Sequence, residues 1–391
     1  MAKYGTAALL LLASMMMQKS AAVCPNDLIN SVYCPFHDVS ILVQATNDEA
    51  NELGDLVSPN GGSSLQSLAD GYAYLYDGVN NPYNRFKTYP SYAATKSETL
   101  MCYENYYGPN YHPNTVVKAA LDRNVINFPG PALTQDYSDA TRTGPEYYIA
   151  EESAKKINQY TTALLEMYQL MEQALRAVLQ GCISIVPNGN MAGCDNAVEI
   201  WDNAAAIQTG PNVLGEKRCL NYLTCGFNWI STNTIALANI KVLNLFQLGQ
   251  TAVRTGDCCA IKAIIKLIQS AQLIPYIQGV ARYALKISNA SVKTLAANNK
   301  WYAEGAAFAT GMLPQLYKCN MNAATVVDKR FQLEVGNQWG SGTFLDFMNI
   351  IRAEYPCLCI TCEDVGGLWD GAAYYPGAEP CVTNYGSYSA C

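Results

Sequence analysis

Phenols and carboxylates are the groups in this sequence that could carry out chemistry, to judge from their number and spacing. Tyrosine occurs 27 times against 9 phenylalanines, whereas the only histidines are His37 and His112. Two histidines exclude a His-rich zinc or copper site within one chain. The sequence also lacks GxSxG, HExxH, GxGxxG and P-loop motifs. Hard oxygen donors suit hard cations, and Fe(III) especially favours phenolate, so this composition is compatible with a ferric-iron site.

The sharpest single position is Glu304, in the stretch "WYAEGAAFATG". Its neighbours Ala303 and Gly305 are small, so another helix can approach closely and remove water from the carboxylate. A buried carboxylate needs a proton, a cation or a hydrogen-bonding partner. A solvated or salt-bridged glutamate is the alternative interpretation of this position.

Two further acids lie on predicted helices. Glu172 follows Tyr168 by one turn, so a carboxylate and a phenol can share one helix face. Asp202 is interpreted as an acid of the N-terminal turn of its short helix rather than as a ligand.

Helices are the elements that must position these residues. Apolar residues between Ile157 and Val178 recur at steps of three and four, which predicts a long helix over Glu146–Gln180. The stretch 65–131 predicts short helices joined by loops. Because no series of alternating strands stands out, we predict a mainly α-helical bundle. The other predicted helices are one in "CDNAVEIWDNAAAIQTG", Thr232–Thr255, Cys258–Gln272 up to a stop or kink at Pro275, Tyr276–Leu285, one in "NNKWYAEGAAFATGMLP" ended by Gly311 and Pro314, Ala323–Leu333 and Thr343–Glu354.

The bulk composition bounds the class of protein. The chain has 391 residues, half of them apolar, and a net charge of −7 without a lysine and arginine cluster, so we predict no nucleic-acid partner. Residues 1–22 combine a lysine, an apolar run and small residues, which predicts a secretory signal peptide cleaved after Ala22. The alternative, a membrane anchor, is disfavoured because this run is too short to span a bilayer. No other apolar run reaches spanning length, so we expect a soluble mature chain without a transmembrane segment.

Fifteen cysteines predict an oxidising compartment and several disulfides. Because the number is odd, at least one cysteine is free or pairs with another chain. Cys359 and Cys362 form a CxxC pair, but no second pair completes a zinc site, so we predict a structural role. The Cys-rich tail, residues 356–391, is expected to be stapled to the body by disulfides. The sequon at Asn289 predicts an exposed, glycosylated loop.

Tyr302–Gly311 matches Trp201–Gly210 without a gap. Two alanines, a threonine and the final glycine coincide, and Glu304 lies over Asn203. This echo suggests two related helical halves, roughly residues 65–215 and 216–355, within one domain of residues 23–355. A ten-residue match that contains alanines can also arise by chance.

Four blocks of the sequence carry a family resemblance: "YYGPNYHPNTVVKAALD", "AVEIWDNAAAIQTG", "IPYIQGVARYALK" and "WYAEGAAFATGMLP". Together, in this order and over roughly residues 65–355, they resemble the low-iron-inducible iron-assimilation proteins of algae and the phytotransferrins of marine phytoplankton. The resemblance implies a duplicated helical unit in a secreted, periplasmic or wall-associated protein. It also implies ferric-iron binding, in phytotransferrins together with carbonate, in support of iron uptake. The family's first copy usually reads "WDEG", whereas this chain has Asn203 in place of the glutamate.

The resemblance and the residues together favour a non-enzymatic protein that holds Fe(III), with or without carbonate, through tyrosine and carboxylate oxygens. Its expected partners are ferric iron and a cell-surface reductase or uptake receptor. Two rival hypotheses stay open: a diverged member acting as a structural or adhesive cell-surface glycoprotein without metal, and an extracellular metal-dependent oxidase or hydrolase. The expected ligands are Glu304 first, followed by Tyr302, Asp202, Glu172, Tyr106 and Tyr107.

Overall fold

The computed structural model of the protein describes residues 33, 36, 52–53, 55–57, 64–82, 98–109, 113–138, 148–181, 195–209, 237–295, 297–333, 339, 343–368 and 373–381. The predicted signal peptide, His37 and His112 lie outside the described residues, as do residues 382–391 of the predicted tail.

The described residues are mainly helical, which confirms the predicted fold class. A π-helical segment, Ile157–Thr162, divides the long helix that the periodicity predicts, and a second one covers Ala73–Asp77. The described strands, β1 (Val125–Ile126) and β2 (Gln135–Asp136), form a short antiparallel pair. The α-helices are α1 (Leu65–Tyr72), α2 (Glu98–Tyr107), α3 (Pro113–Leu121), α4 (Tyr148–Lys156), α5 (Ala163–Gly181), α6 (Asp195–Thr209), α7 (Leu237–Thr255), α8 (Cys258–Asn289), α9 (Asn299–Cys319), α10 (Met321–Phe331), α11 (Phe344–Arg352), α12 (Tyr355–Leu358) and α13 (Cys362–Val365).

Two predicted helix breaks are wrong. α8 continues through Pro275, and α9 continues through Gly311 and Pro314. Both helices are buried along most of their length, so their packing outweighs the lost backbone hydrogen bond at each proline. At Pro314 a tyrosine repairs part of that loss. Pro314 has no N–H for the Thr310 carbonyl, which instead accepts the Tyr107 hydroxyl at 3.2 Å.

α9 lies at the centre of the bundle, where it packs against α8, α10, α4 and α2. Its glycines let aromatic rings lie directly on its backbone. A Cβ at Gly305 would lie 2.1 Å from Phe331 Cε1, and one at Gly311 would lie 2.1 Å from Tyr276 Cε1. Glu304, directly before Gly305, is buried beside the first of these contacts.

Disulfides staple the C-terminal region, as the cysteine content predicts. Cys319 at the end of α9 pairs with Cys357, and Cys362 pairs with Cys381. Cys359 is also disulfide-bonded, so the CxxC cysteines each have a different partner. This agrees with the predicted structural role of that motif.

α8 is the one described helix that is long and apolar enough to cross a membrane by length and composition, with a mean hydropathy of 1.3 in its best window. The expectation that no further apolar run reaches that length is therefore corrected. The central part of α8 is buried on every face against neighbouring helices, which is also how the core helix of a globular bundle satisfies the same criterion. The sequon residue Asn289, at the end of α8, is exposed as expected.

Candidate metal centre

Glu304 and Glu152 form a buried carboxyl pair where α9 crosses α4. Glu304 is 6 % exposed and Glu152 is 3 % exposed, so the prediction that Glu304 is buried is confirmed. The two carboxyl groups are hydrogen-bonded to one another. Two carboxyl groups can lie together away from water when they share one proton between them.

The surroundings of the two acids shift their pKa values in opposite directions. Burial, reinforced by the charge of Glu152, raises the pKa of Glu304. Burial acts on Glu152 in the same direction, but Lys155, Lys156 and Lys300 together outweigh it and lower the pKa of Glu152. Of the two acids, Glu304 is therefore the one that takes up a proton more readily.

Lysines from both helices enclose the pair. Lys156 Nζ lies 3.8 Å from Glu304 Oε1, and Lys300 Nζ lies 3.6 Å from Glu152 Oε1. Lys155 Nζ is 3.4 Å from the same oxygen of Glu152. These lysines balance the acids and place positive charge at the rim of the pair.

Glu151 adds a third carboxylate to α4 beside the pair. Its Oε1 atom accepts Lys155 Nζ at 2.6 Å. Its Oε2 atom is buried and has no hydrogen-bond partner among the described residues. A buried carboxylate oxygen without a partner is costly, which makes this corner of the molecule a place where a further ligand or water would be favourable.

Tyr283 of α8 brings a phenol to the carboxyl pair. Its hydroxyl is hydrogen-bonded to the Glu304 carboxyl. Its ring is stacked on Phe308 with the ring centroids 5.8 Å apart, which fixes its position. Lys286 Nζ lies 5.3 Å from the Tyr283 ring centroid and 5.7 Å from that of Trp301. Two carboxyls and one phenol thus meet at one point, an oxygen-donor set that suits a hard cation.

The other predicted ligands do not join this group. Tyr302 points away from Glu304 and is fully buried, and its hydroxyl donates to the Lys293 carbonyl at 2.8 Å. Burial raises its pKa, so the phenol stays protonated at its carbonyl partner.

Tyr106 pairs with a different acid. Its hydroxyl donates to Asp328 Oδ2 at 2.6 Å, and the Leu133 backbone N–H donates to the same oxygen at 2.9 Å. Burial raises the pKa of Asp328 to about 6 against both of these hydrogen bonds. Asp328 also lines a cavity of about 20 Å³ together with Tyr107 and Thr310, room for roughly one water molecule. In this second phenol and carboxylate site, the Tyr106 hydroxyl and the Leu133 N–H already satisfy Oδ2 of the carboxyl group.

Asp202 lies in the middle of α6 and not in its N-terminal turn, which corrects the sequence interpretation. Three neutral donors satisfy its fully buried carboxylate: the Tyr33 hydroxyl at 2.5 Å, the Phe36 backbone N–H at 2.9 Å and Gln250 Nε2 at 2.6 Å. Its role in the structure is to hold Tyr33 and Phe36 against α6, with Gln250 of α7 as a further partner.

Glu172 is buried on α5, with Arg176 Nη2 3.9 Å from its Oε2. It shares α5 with the buried Tyr168, as the spacing predicts, but Tyr168 and Glu172 lie on a different helix from the Glu152–Glu304 pair. The six expected ligands therefore fall at separate places, and Glu304 alone belongs to the donor group described above.

Sequence reasoning missed Glu152 and Tyr283. Glu151 and Glu152 precede Lys155 and Lys156 by four residues, a spacing typical of solvated helix ion pairs. Tyr283 lies in the "IPYIQGVARYALK" block, where the sequence does not indicate which residue its phenol contacts. A search for acids opposite Glu304 needs the packing of α4 and α8 on α9, which no local pattern encodes.

No group of three or more His, Cys, Asp or Glu side chains in the described part of the chain is placed to hold a metal ion. The donor set at Glu304 consists instead of two carboxyls and a phenol. Comparisons with protein-family models, with curated proteins and with solved structures each find no match for this chain.

Proposed function

We propose that this chain is a secreted ferric-iron-binding protein that supports iron assimilation at the algal cell surface, with Fe(III) as cargo and no catalytic step. The observation that supports it is the meeting of Glu152, Glu304 and the Tyr283 phenol at one buried point. The sequence resemblance described above points to the same cargo. A cell-surface reductase or uptake receptor would take the iron onward.

A cation would take a position between the two carboxyl groups. Fe(III) would bind the ionised form of Glu304 and, as a strong positive charge, would favour the phenolate form of Tyr283. The lysines around Glu152 lower its pKa and so favour its ionised form. These three groups would supply three negative charges, which match the charge of one ferric ion.

The lysines at the rim suit a small oxyanion beside the metal. Lys156 and Lys300 lie within 4 Å of Glu304 and Glu152 respectively. Once Fe(III) neutralises those carboxylates, the two ammonium groups lose their partners. Carbonate, which the resemblance implies, would restore the balance and fill an open coordination position.

Acidification should release the cargo, because protons compete with the metal for carboxylate and phenolate oxygens. Release should therefore accompany protonation of Glu152 and Glu304. This expectation concerns the loaded protein and is measured by iron retained after dialysis at decreasing pH.

The test is a titration of the apo protein with ferric citrate and bicarbonate, followed by the visible phenolate-to-iron charge-transfer band and by bound iron per chain. We expect a saturable band that Tyr283→Phe abolishes. Glu304→Gln should weaken iron binding by about 100-fold or more, as expected for the loss of a ligand. Glu166→Gln, which changes a buried glutamate on α5 outside the site, is the matched control.

The possible results distinguish a wrong set of ligands from a wrong function. Iron binding with a visible band that survives both Glu304→Gln and Tyr283→Phe would move the site elsewhere. Protein that binds no iron at all would end the ferric-binding proposal.

A metal-free structural or adhesive glycoprotein is the second candidate. It is favoured by the lysines, because Lys155, Lys156 and Lys300 already compensate the acids without any metal. On this hypothesis the carboxyl pair joins α4 to α9, and the titration above yields neither a band nor bound iron.

A further inference from the structure

The cavity beside Asp328 lies between α9, α10 and the β1–β2 pair. It measures about 20 Å³, enough for one species of the size of a water molecule. Its walls are mostly apolar and aromatic, with Phe128, Leu313 and Phe331 among them. Asp328 is the acid that lines it, and a charged group in such surroundings needs a partner.

Only one oxygen of the Asp328 carboxyl group has such partners. The Tyr106 hydroxyl and the Leu133 N–H both donate to Oδ2. Within the part of the chain that the structure describes, Oδ1 accepts no hydrogen bond, and no lysine or arginine nitrogen lies within 4 Å of the carboxyl group. Because the residue is only 4 % exposed, a ligand that supplies both a hydrogen bond and a positive charge would be favourable here.

Five other buried acids are better supplied than Asp328. Asp202 accepts hydrogen bonds on both of its carboxylate oxygens. A lysine or arginine nitrogen lies within 4 Å of each of the remaining four, which are Glu151, Glu152, Glu172 and Glu304. The Oδ1 atom of Asp328 has neither kind of support.

Hydroxyl groups of the cavity wall have already committed their protons. Thr310 Oγ1 donates to the Ala306 carbonyl at 2.9 Å, and the Tyr107 hydroxyl donates to the Thr310 carbonyl at 3.2 Å. The Tyr137 hydroxyl interacts with that of Ser153. The Gln135 amide is half-buried, so water can reach its NH2 group. The wall therefore favours a ligand that brings its own hydrogen-bond donors.

We propose that this cavity is a binding site for one ammonium ion. Ammonium has the size of a water molecule, carries one positive charge and offers four N–H donors with no acceptor. It donates to Asp328 Oδ1 and balances the charge of the carboxylate, and the aromatic residues of the wall favour a cation. A metal ion would need a shell of oxygen ligands, which these walls do not supply.

The experiment is thermal unfolding of the metal-free full chain at pH 8, where a carboxyl group with a pKa of about 6 is ionised. Ammonium chloride, potassium chloride and tetramethylammonium chloride are compared at equal concentration. We expect ammonium to raise the unfolding midpoint by about 2 °C or more above tetramethylammonium, which is too large for the cavity. Potassium should have a smaller effect. Nitrogen-15 NMR with labelled ammonium should show one protein-bound ion per chain.

Two variants test the ligands. Asp328→Asn keeps the shape of the side chain and an oxygen that accepts the Tyr106 and Leu133 donors, and it should abolish both the ammonium effect and the bound signal. Thr310→Val keeps the charge but removes an oxygen from the wall, so it should reduce both. Asp122→Asn, which changes an exposed acid paired with Lys118, is the matched control and should retain both.

Three results would overturn the proposal. A midpoint that is the same in all three salts would mean that the cavity holds only water. An equal rise with potassium would mean that the site does not require N–H donors, and a rise that persists in Asp328→Asn would place the ion elsewhere. If circular dichroism shows that Asp328→Asn does not fold, Thr310→Val decides the question, since an unchanged response to ammonium then contradicts the assigned site.

Discussion

Asp202 on α6 and Glu304 on α9 are both buried acids on alanine-rich helices, yet they meet the cost of burial in opposite ways. Asp202 accepts hydrogen bonds from three neutral donors: the Tyr33 hydroxyl, the Phe36 backbone N–H and the Gln250 amide. The carboxyl of Glu304 instead lies against that of Glu152 under a rim of lysines. The first arrangement satisfies the acid with fixed neutral donors, whereas the second sets two carboxyls against one another, so that a proton or another cation stabilises the pair.

The aligned stretches around these acids are alike in one respect. Trp201 and Tyr302 occupy the same aligned position, and each donates from its ring to a backbone carbonyl, at 2.9 Å to Phe246 and 2.8 Å to Lys293. The acids differ because Asp202 aligns with Ala303, one position before Glu304. One residue rotates a side chain by about 100° around a helix, so Asp202 faces α7 and does not replace the acid missing at position 203. Whether the two stretches belong to a duplicated unit stays a prediction.

The largest expected effect is a contrast between two acid-to-amide substitutions. Asp202→Asn places an NH2 group against donors that need an acceptor, so we expect a loss of about 3 kcal/mol in the free energy of unfolding. Because burial raises the pKa of Glu304 and so favours its neutral form, Glu304→Gln at pH 5 should change stability by less than about 1 kcal/mol. Urea unfolding of both variants at pH 5 checks this. Equal losses would mean that the two acids are held in the same way.

Asp328 extends the comparison, because its carboxyl accepts hydrogen bonds from neutral donors and nevertheless has a raised pKa. Its carboxyl has a pKa of about 6 in the folded protein, against 3.8 for an unperturbed aspartate. The folded state therefore binds a proton that the unfolded chain releases, and this contribution to stability is lost as pH rises from about 4 through 6. We expect Asp328 to remove about 2 kcal/mol between pH 4 and 7. Urea unfolding across this range should show a shallower decline in Asp328→Asn than in the parent, and parallel curves would contradict the assignment.

The sequence predicts the helices better than the sites. Apolar spacing locates α10 and α11 to within a few residues and gives the C-terminal ends of α5 and α7, because these helices bury apolar residues at helical spacing. Small residues around Glu304 correctly predict its burial, since they determine how closely neighbouring helices approach. The partners Glu152 and Tyr283 come from helices remote in sequence, so only the packed bundle identifies them. The prolines mislead for the same reason: packing of α8 and α9 overrides a local preference.

The smallest expected effect concerns Tyr302, which the sequence favoured as a ligand and the structure places at the Lys293 carbonyl. Tyr302→Phe removes one hydrogen bond to a partly buried carbonyl and keeps the ring, so stability should fall by about 1 kcal/mol. Because the Tyr302 hydroxyl lies away from Glu152 and Glu304, the iron titration should give the same band and stoichiometry as the parent. Loss of the band in Tyr302→Phe with little loss of stability would return this phenol to the ligand set. It would also show that the metal is bound by the Tyr302 side of α9 as well as by the Glu304 side, which the arrangement around Glu304 does not allow.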